Sequence, residues 1–194
     1  MYLRTMTLSH SFIFLFSLTL ISTQLTTTNG VFSKQSNIIL PSEQQTTEKL
    51  THIHFYYHDI RGNKNPTMLQ IIDTPQNVAN GFGSTFMMDD AMTEGPELSS
   101  KHIGRAQGMF GLCSLHDIAE CMLINMVFNE GKYAGSTLSM LGRNPITKQN
   151  RETSIVGGTG IFRFARGYAI ANSVNSISTP EHYVVEYNIT VSHP

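Results

Sequence analysis

The stretch THIHFYYHDI, residues 51–60, places three histidines and an aspartate within ten positions. Such a set could bind a metal or move a proton, and the faces of a strand decide between the two. With period two, His52, His54, Tyr56 and His58 share one side, and Ile53, Phe55, Tyr57 and Asp59 share the other. Asp59 therefore closes an apolar row. A carboxylate so placed is costly to ionise unless it is paired or hydrogen-bonded, which makes it a candidate proton donor or acceptor. The plainer alternative is a strand-end residue that caps the turn at Ile60–Gly62.

A metal site is the weaker reading. His52 and His54, two apart, resemble the paired ligands of cupins, but Asp59 lies on the opposite face of the same strand and cannot complete their site. The glycines expected to flank such a motif are replaced by Thr46 and Pro66, and no second histidine motif follows. The histidines read as surface or subunit-contact residues, and no metal is expected.

Other chemistry-bearing spacings fall away. VGGTGIF is followed by aromatic, strand-like residues, so no helix N-terminus is available to hold a phosphate; a tight turn or bulge is expected. NEGKYAGST lacks P-loop spacing and reads as a hairpin turn. The sequence has no serine elbow, no HExxH and no CxxC. An oxidation involving this protein would need its oxidant from elsewhere.

The elements that must position Asp59 are strands. Turn signals recur at 61–66, 77–81, 93–100, 114–117, 129–132, 142–145 and 156–160. Between them the pattern predicts strands near 52–60, 67–73, 82–89, 102–113, 119–128, 133–141, 153–156, 161–171 and 182–192. In the last of these, Tyr183, Val185, Tyr187, Ile189 and Val191 take one face, opposite His182, Glu186, Asn188, Thr190 and Ser192. Many strands and no helical layer predict an all-β barrel or sandwich, and spacing does not choose between them.

The chain has 194 residues and a formal net charge of −1, enough for one domain and without a basic run for nucleic acid. Arg4 followed by the apolar run Ser11–Ile21 reads as a signal peptide over residues 1–30, cleaved between 22 and 30 and too short to be a membrane span. Residues 31–48 read as a flexible lead-in to a domain over 49–194. Secretion is expected, and the sequon at Asn188 fits it, on the wet face of its strand. Cys113 and Cys121 could pair in an oxidising compartment or remain free.

Several segments together resemble one family. FYYHDI, KNPT, DDAMTEGPELSSKHIGRAQGMF, NEGKYAGSTLSMLGRNPI, VGGTGIFRFARGYA and VEYNITV, spanning about residues 50–192, resemble the plant dirigent proteins, and most of all the branch with disease-response and pterocarpan-forming members. The resemblance implies an eight-stranded antiparallel β-barrel of allene oxide cyclase-like type. It also implies a trimer, secretion to the plant cell wall space, a pocket in the barrel lumen and no cofactor. By motif, Asp59 matches a pocket acid and Arg151 the pocket arginine before the double glycine. Phe110 stands where many members have tyrosine, and Asn144 where pinoresinol-forming members carry a second aspartate. With Phe55 and Tyr57 on the inward face, these complete the expected substrate-binding set.

Two functions follow from that resemblance. In one, a separate laccase or peroxidase makes phenoxy radicals from a monolignol such as coniferyl alcohol, and the protein biases how two of them couple. In the other, the protein dehydrates an isoflavanol to a pterocarpan through a quinone methide, with Asp59 as acid. A phenolic- or carbohydrate-binding defence protein without turnover is the third expectation.

Overall fold

A computed structural model describes residues 48–62 and 64–194. The expected signal peptide and residues 31–47 of the lead-in lie outside them. The domain holds nine strands: β1 (Lys49–Ile60), β2 (Met68–Ile72), β3 (Thr85–Thr93), β4 (His102–Leu112), β5 (Glu120–Phe128), β6 (Thr137–Asn144), β7 (Arg151–Thr159), β8 (Arg166–Ser173) and β9 (His182–His193). Eight of them, in the order β1-β9-β8-β7-β6-β5-β4-β3, form an antiparallel ring that β3 closes by pairing with β1. β3 is shared: its second half meets β1 through Tyr56↔Thr93, Tyr57↔Met92 and His58↔Ala91, while its first half carries β2 as a flanking strand. Closure leaves no long free edge, the barrel's answer to unpaired backbone groups.

Alternation decides what fills the lumen. On β5, Glu120, Met122, Ile124, Met126 and Phe128 are buried, while Cys121 and Leu123 face out. Neighbouring β4 answers these large side chains with Gly104, Ala106 and Gly108, and β8 offers Ala169 and Ala171. A methyl on Gly108 would lie 2.1 Å from the Leu123 carbonyl oxygen, so only glycine allows that approach of the two strands. Phe55, wholly buried and stacked on Tyr187 at 5.5 Å, contributes about 2–3 kcal/mol by burial. Phe128, Tyr133, Phe162 and His193 pack ring against ring and plug the end of the barrel where β5 finishes.

Several boundaries differ from the sequence reading; the 82–89 strand, for one, lies at Thr85–Thr93. The 133–141 strand begins only at Thr137, after a 3-10 turn over Gly131–Tyr133, and it continues through Gly142–Asn144, which had read as turn. β7 runs through the expected turn at 156–160 as far as Thr159. It does so with a register shift opposite Ser139 and Met140, and the chain reverses at Gly160, whose φ of +62° suits glycine. The predicted 161–171 strand starts at Arg166, because Gly160–Phe162 forms a 3-10 turn that buries Phe162 in the aromatic plug.

Among the histidines, His52 and His54 are exposed, as expected for a surface face. His58 is not: it is fully buried, hydrogen-bonded to Thr93 at 2.7 Å and His182 at 3.0 Å. The end of β3 and the start of β9 cover it. Cys113 and Cys121 form a disulfide that staples the β4–β5 connection. Asn188 is exposed on the outward face of β9.

Candidate active site

In an antiparallel barrel, strands deliver their C-terminal and N-terminal ends to one mouth alternately. The mouth opposite the aromatic plug collects the ends of β1, β4, β6 and β8 and the starts of β5, β7 and β9. Inward polar residues at those positions therefore line one mouth. A cavity of about 280 Å³ opens there, lined by Tyr57, Asp59, Phe110, Asn144 and Arg151, together with Arg61, Glu120, Met122, Ile146, Ser173, Asn175, Tyr183, Val185 and Tyr187. Five of the six expected pocket residues thus converge on one hollow. The sixth, Phe55, lies a layer deeper, in the close-packed girdle of Tyr57, Ala106, Ile124, Met126, Met140 and Tyr187. It shapes the floor by stacking on Tyr187 rather than forming a wall.

Asp59 is 4% exposed. Its Oδ2 accepts from Arg61 Nε at 3.0 Å and Nη2 at 2.8 Å, a side-on fork from two residues further along the chain. Arg61 is in turn held over the Tyr183 ring, with 4.2 Å from the guanidinium carbon to the ring centre. Burial opposes the charge on Arg61, but its bonding to Asp59 outweighs this, so Arg61 is held above its usual range. The other oxygen, Asp59 Oδ1, is buried and has no hydrogen-bond partner among the described residues. A buried acceptor left without a donor costs about 1–3 kcal/mol, which a hydroxylated guest would recover.

A second polar chain crosses the mouth. Asn144 Nδ2 donates to Glu120 Oε2 at 2.8 Å, and Arg151 Nε donates to Asn144 Oδ1 at 2.8 Å. Arg151 Nη1 also donates to the Lys148 carbonyl at 3.1 Å and to Ser173 Oγ at 3.2 Å. Asn144 orients both neighbours, which an amide can do because it accepts on one atom and donates on the other. Burial pushes the Glu120 carboxyl above the usual range, against the bonding from Asn144. Burial likewise drives Tyr187 upward, so its hydroxyl stays protonated.

Behind Tyr57 sits a third acid. Asp90 on β3 is fully buried; its Oδ1 accepts from the Thr67 hydroxyl, and its Oδ2 has no partner among the described residues. Burial pushes its carboxyl up to about 7; the Thr67 and Tyr57 hydroxyls pull against that shift, and repulsion from Asp59 adds to it.

Sequence reasoning missed Arg61, Glu120 and Asp90. Arg61 sits in a turn, where no periodicity marks it. Glu120 and Asp90 carried a readable signal: each is an acid in line with an apolar row, Met122–Ile124–Met126 for one and Met88–Met92 for the other. Asp59 carries the same signal. A second hollow of about 320 Å³, near His52, His54, Lys132 and Tyr133, contains none of the expected pocket residues.

The comparisons with known proteins agree with this architecture. The family model for dirigent-like protein matches residues 50–192. Dirigent protein 21 of Arabidopsis thaliana is 42% identical over 163 residues, covering 83% of this chain and 86% of that protein. Pterocarpan synthase 1 of Glycyrrhiza echinata is 44% identical over 149 residues, covering 75% and 79%. The solved structure of the pterocarpan synthase dirigent protein GePTS1 superposes with a TM-score of 0.70 at 44% identity, over 76% of this chain and 86% of that one. With its closed β-barrel and acid-lined lumen, this chain belongs to the dirigent family.

Proposed function

We propose that the protein takes one phenolic molecule into the open mouth of the barrel and directs a quinone methide formed from it, moving protons rather than electrons. The observation that carries this is Asp59: a buried carboxylate lining the cavity, with one oxygen forked by Arg61 and the other without a partner among the described residues. The cavity volume of about 280 Å³ suits a single three-ring phenol better than two coupled partners.

In the best-supported reading the substrate is a hydroxylated isoflavan-4-ol and the product a pterocarpan. The C4 hydroxyl takes a proton and departs as water, while the phenol para to C4 gives up its proton; a quinone methide results. The second phenol then adds to C4, and its proton goes by way of the pocket carboxylates to the oxygen of the first. One water is lost and no oxidant is needed. Asp59 handles proton transfer, and Arg151 lies where it can stabilise developing phenolate charge. Incubating the protein with 7,2′-dihydroxyisoflavan-4-ol and no oxidant tests this. Pterocarpan should form with the native protein and not with Asp59→Asn; no product from the native protein overturns the reading.

A second reading draws support from identities of 42% and 41% to Arabidopsis dirigent proteins 21 and 11. Here a separate laccase or peroxidase makes phenoxy radicals of coniferyl alcohol and the lumen biases their coupling. A tenfold preference between product hands needs only about 1.4 kcal/mol. Coniferyl alcohol with laccase and this protein should give optically active dilignol; racemic product at saturating protein sinks this reading.

Two further inferences concern setting. The outward face carries Leu69, Met87, Met109, Leu123 and Leu141 in direct cross-strand register over β2 to β6, all exposed. Such a row is what a homotrimer would cover. The exposed sequon at Asn188 and the Cys113–Cys121 bridge support secretion as a glycoprotein.

A further inference from the structure

We propose that Glu120 is a second acid–base residue of the pocket, donating the proton that the departing hydroxyl needs, while Asp59 accepts protons. The proposal rests on the quinone methide reading above.

Asn144 itself offers the pocket no ionisable group, but the barrel register sets one beside it. Glu120 and Asn144 are Cα partners across β5 and β6, so a carboxyl stands on the neighbouring strand at the same height. Asn144 then becomes the group that aims it, donating to Oε2 at 2.8 Å and leaving Oε1 for the cavity that Glu120 lines. Glu120 is 8% exposed, and its strand start is pinned by the adjacent Cys121 bridge and by the Cys113 amide donating to the Ala119 carbonyl at 3.0 Å.

The two acids have different surroundings, and a donor–acceptor pair needs that difference. Asp59 has a guanidinium forked onto one oxygen, a counter-charge suited to a carboxylate that takes protons. Among the described residues the Glu120 carboxyl is bonded by a neutral amide alone, and burial favours its protonated form. The charged and titratable groups that face it are Asp59 on β1, Arg61 just beyond, Arg151 on β7 and Tyr187 on β9. Asp59 and the burial keep its proton on, and the two arginines oppose them. β1 and β5 stand three places apart around the ring, so a guest lying between them meets one acid on each side.

The test uses Glu120→Gln, which keeps volume and can still accept from Asn144, with Glu120→Asp as the conservative control. Turnover of 7,2′-dihydroxyisoflavan-4-ol is measured from pH 4 to 9, and binding of the pterocarpan product is measured by tyrosine fluorescence. The expected result is a kcat loss of at least about 100-fold for Glu120→Gln with KM nearly unchanged, the size typical of a lost acid–base group. The fall of wild-type rate on the alkaline side should vanish from the profile, and Glu120→Asp should regain part of the rate. If Glu120→Gln keeps kcat within threefold and retains the alkaline fall, this proposal is wrong and the function reading stands. If native protein does not turn over the isoflavanol, the function reading fails and takes this one with it.

Discussion

Replacing Asp90 by asparagine should stabilise the protein near neutral pH. The wild-type carboxyl is fully buried, its Oδ2 has no partner among the described residues, and burial lifts it from an ordinary 3.8 to about 7. Between those values the folded state holds a proton that the unfolded chain has released. Stability from this group is therefore full below about pH 4, falls as pH rises toward 7, and is flat above it. A shift of about three units corresponds to about 4 kcal/mol. Asparagine has nearly the same shape, can still accept from the Thr67 hydroxyl and does not titrate. Urea unfolding of both proteins at several pH values between 4 and 9 gives the difference directly, and other titrating groups cancel in it. The variant should gain about 4 kcal/mol on the wild type between pH 4 and pH 8, or about 10 °C in Tm for a domain of this size. A difference that stays level across that range would show that Asp90 reaches solvent or finds a partner in the folded state, and the burial argument would fail.

The remaining predictions concern other parts of the barrel. Burial, with His182 and His102 adding, lowers His58 to about 4, so its contribution is lost as pH falls from about 6.5 toward 4; His58→Gln should level that fall. Because His182 is only half-buried and lets solvent screen the pair, the effect should be about 1–2 kcal/mol in acid unfolding curves. Reducing the Cys113–Cys121 bridge should cost about 2–3 kcal/mol, the loop entropy released over a separation of eight residues, seen as a lower Tm in reductant. Leu123→Glu, within the exposed cross-strand row, should yield monomers by light scattering without lowering turnover; unchanged assembly would place the interface elsewhere.

Local pattern carried much of this protein and stopped where distant segments meet. Each of the nine strands overlaps a run between turn residues, and alternation places the inward face of β1 correctly through Asp59. What alternation does not contain is closure. The pairing of Tyr57 with Met92 joins residues 35 apart, and no local signal announces that β3 divides its length between β1 and β2. His58 shows the same limit. Alternation points it outward, correctly, but Thr93 and His182 cover it, so its burial follows from tertiary overlap. At Asn144 the sequence shows an amide and no more; the register sets Glu120 beside it.

The distribution of charge inside the barrel explains how one lumen can be both a core and a site. Buried acids are expensive, and three in one small domain would ordinarily be a liability. Here Asp59 and Glu120 line the mouth and Asp90 sits just behind Tyr57, while the aromatic plug and the methionine-rich middle carry the burial that holds the ring closed. Methionine suits that middle, since it fills irregular space beside glycine and alanine without demanding one shape. The floor of the cavity is thus firm at Phe55 and Tyr187, and the polar residues above it can be exchanged between adjacent strands without disturbing the pairing below. Glu120 on β5 beside the Asn144 amide on β6 is one such arrangement: it sets the chemistry offered to a guest and leaves the strand pairing as it is.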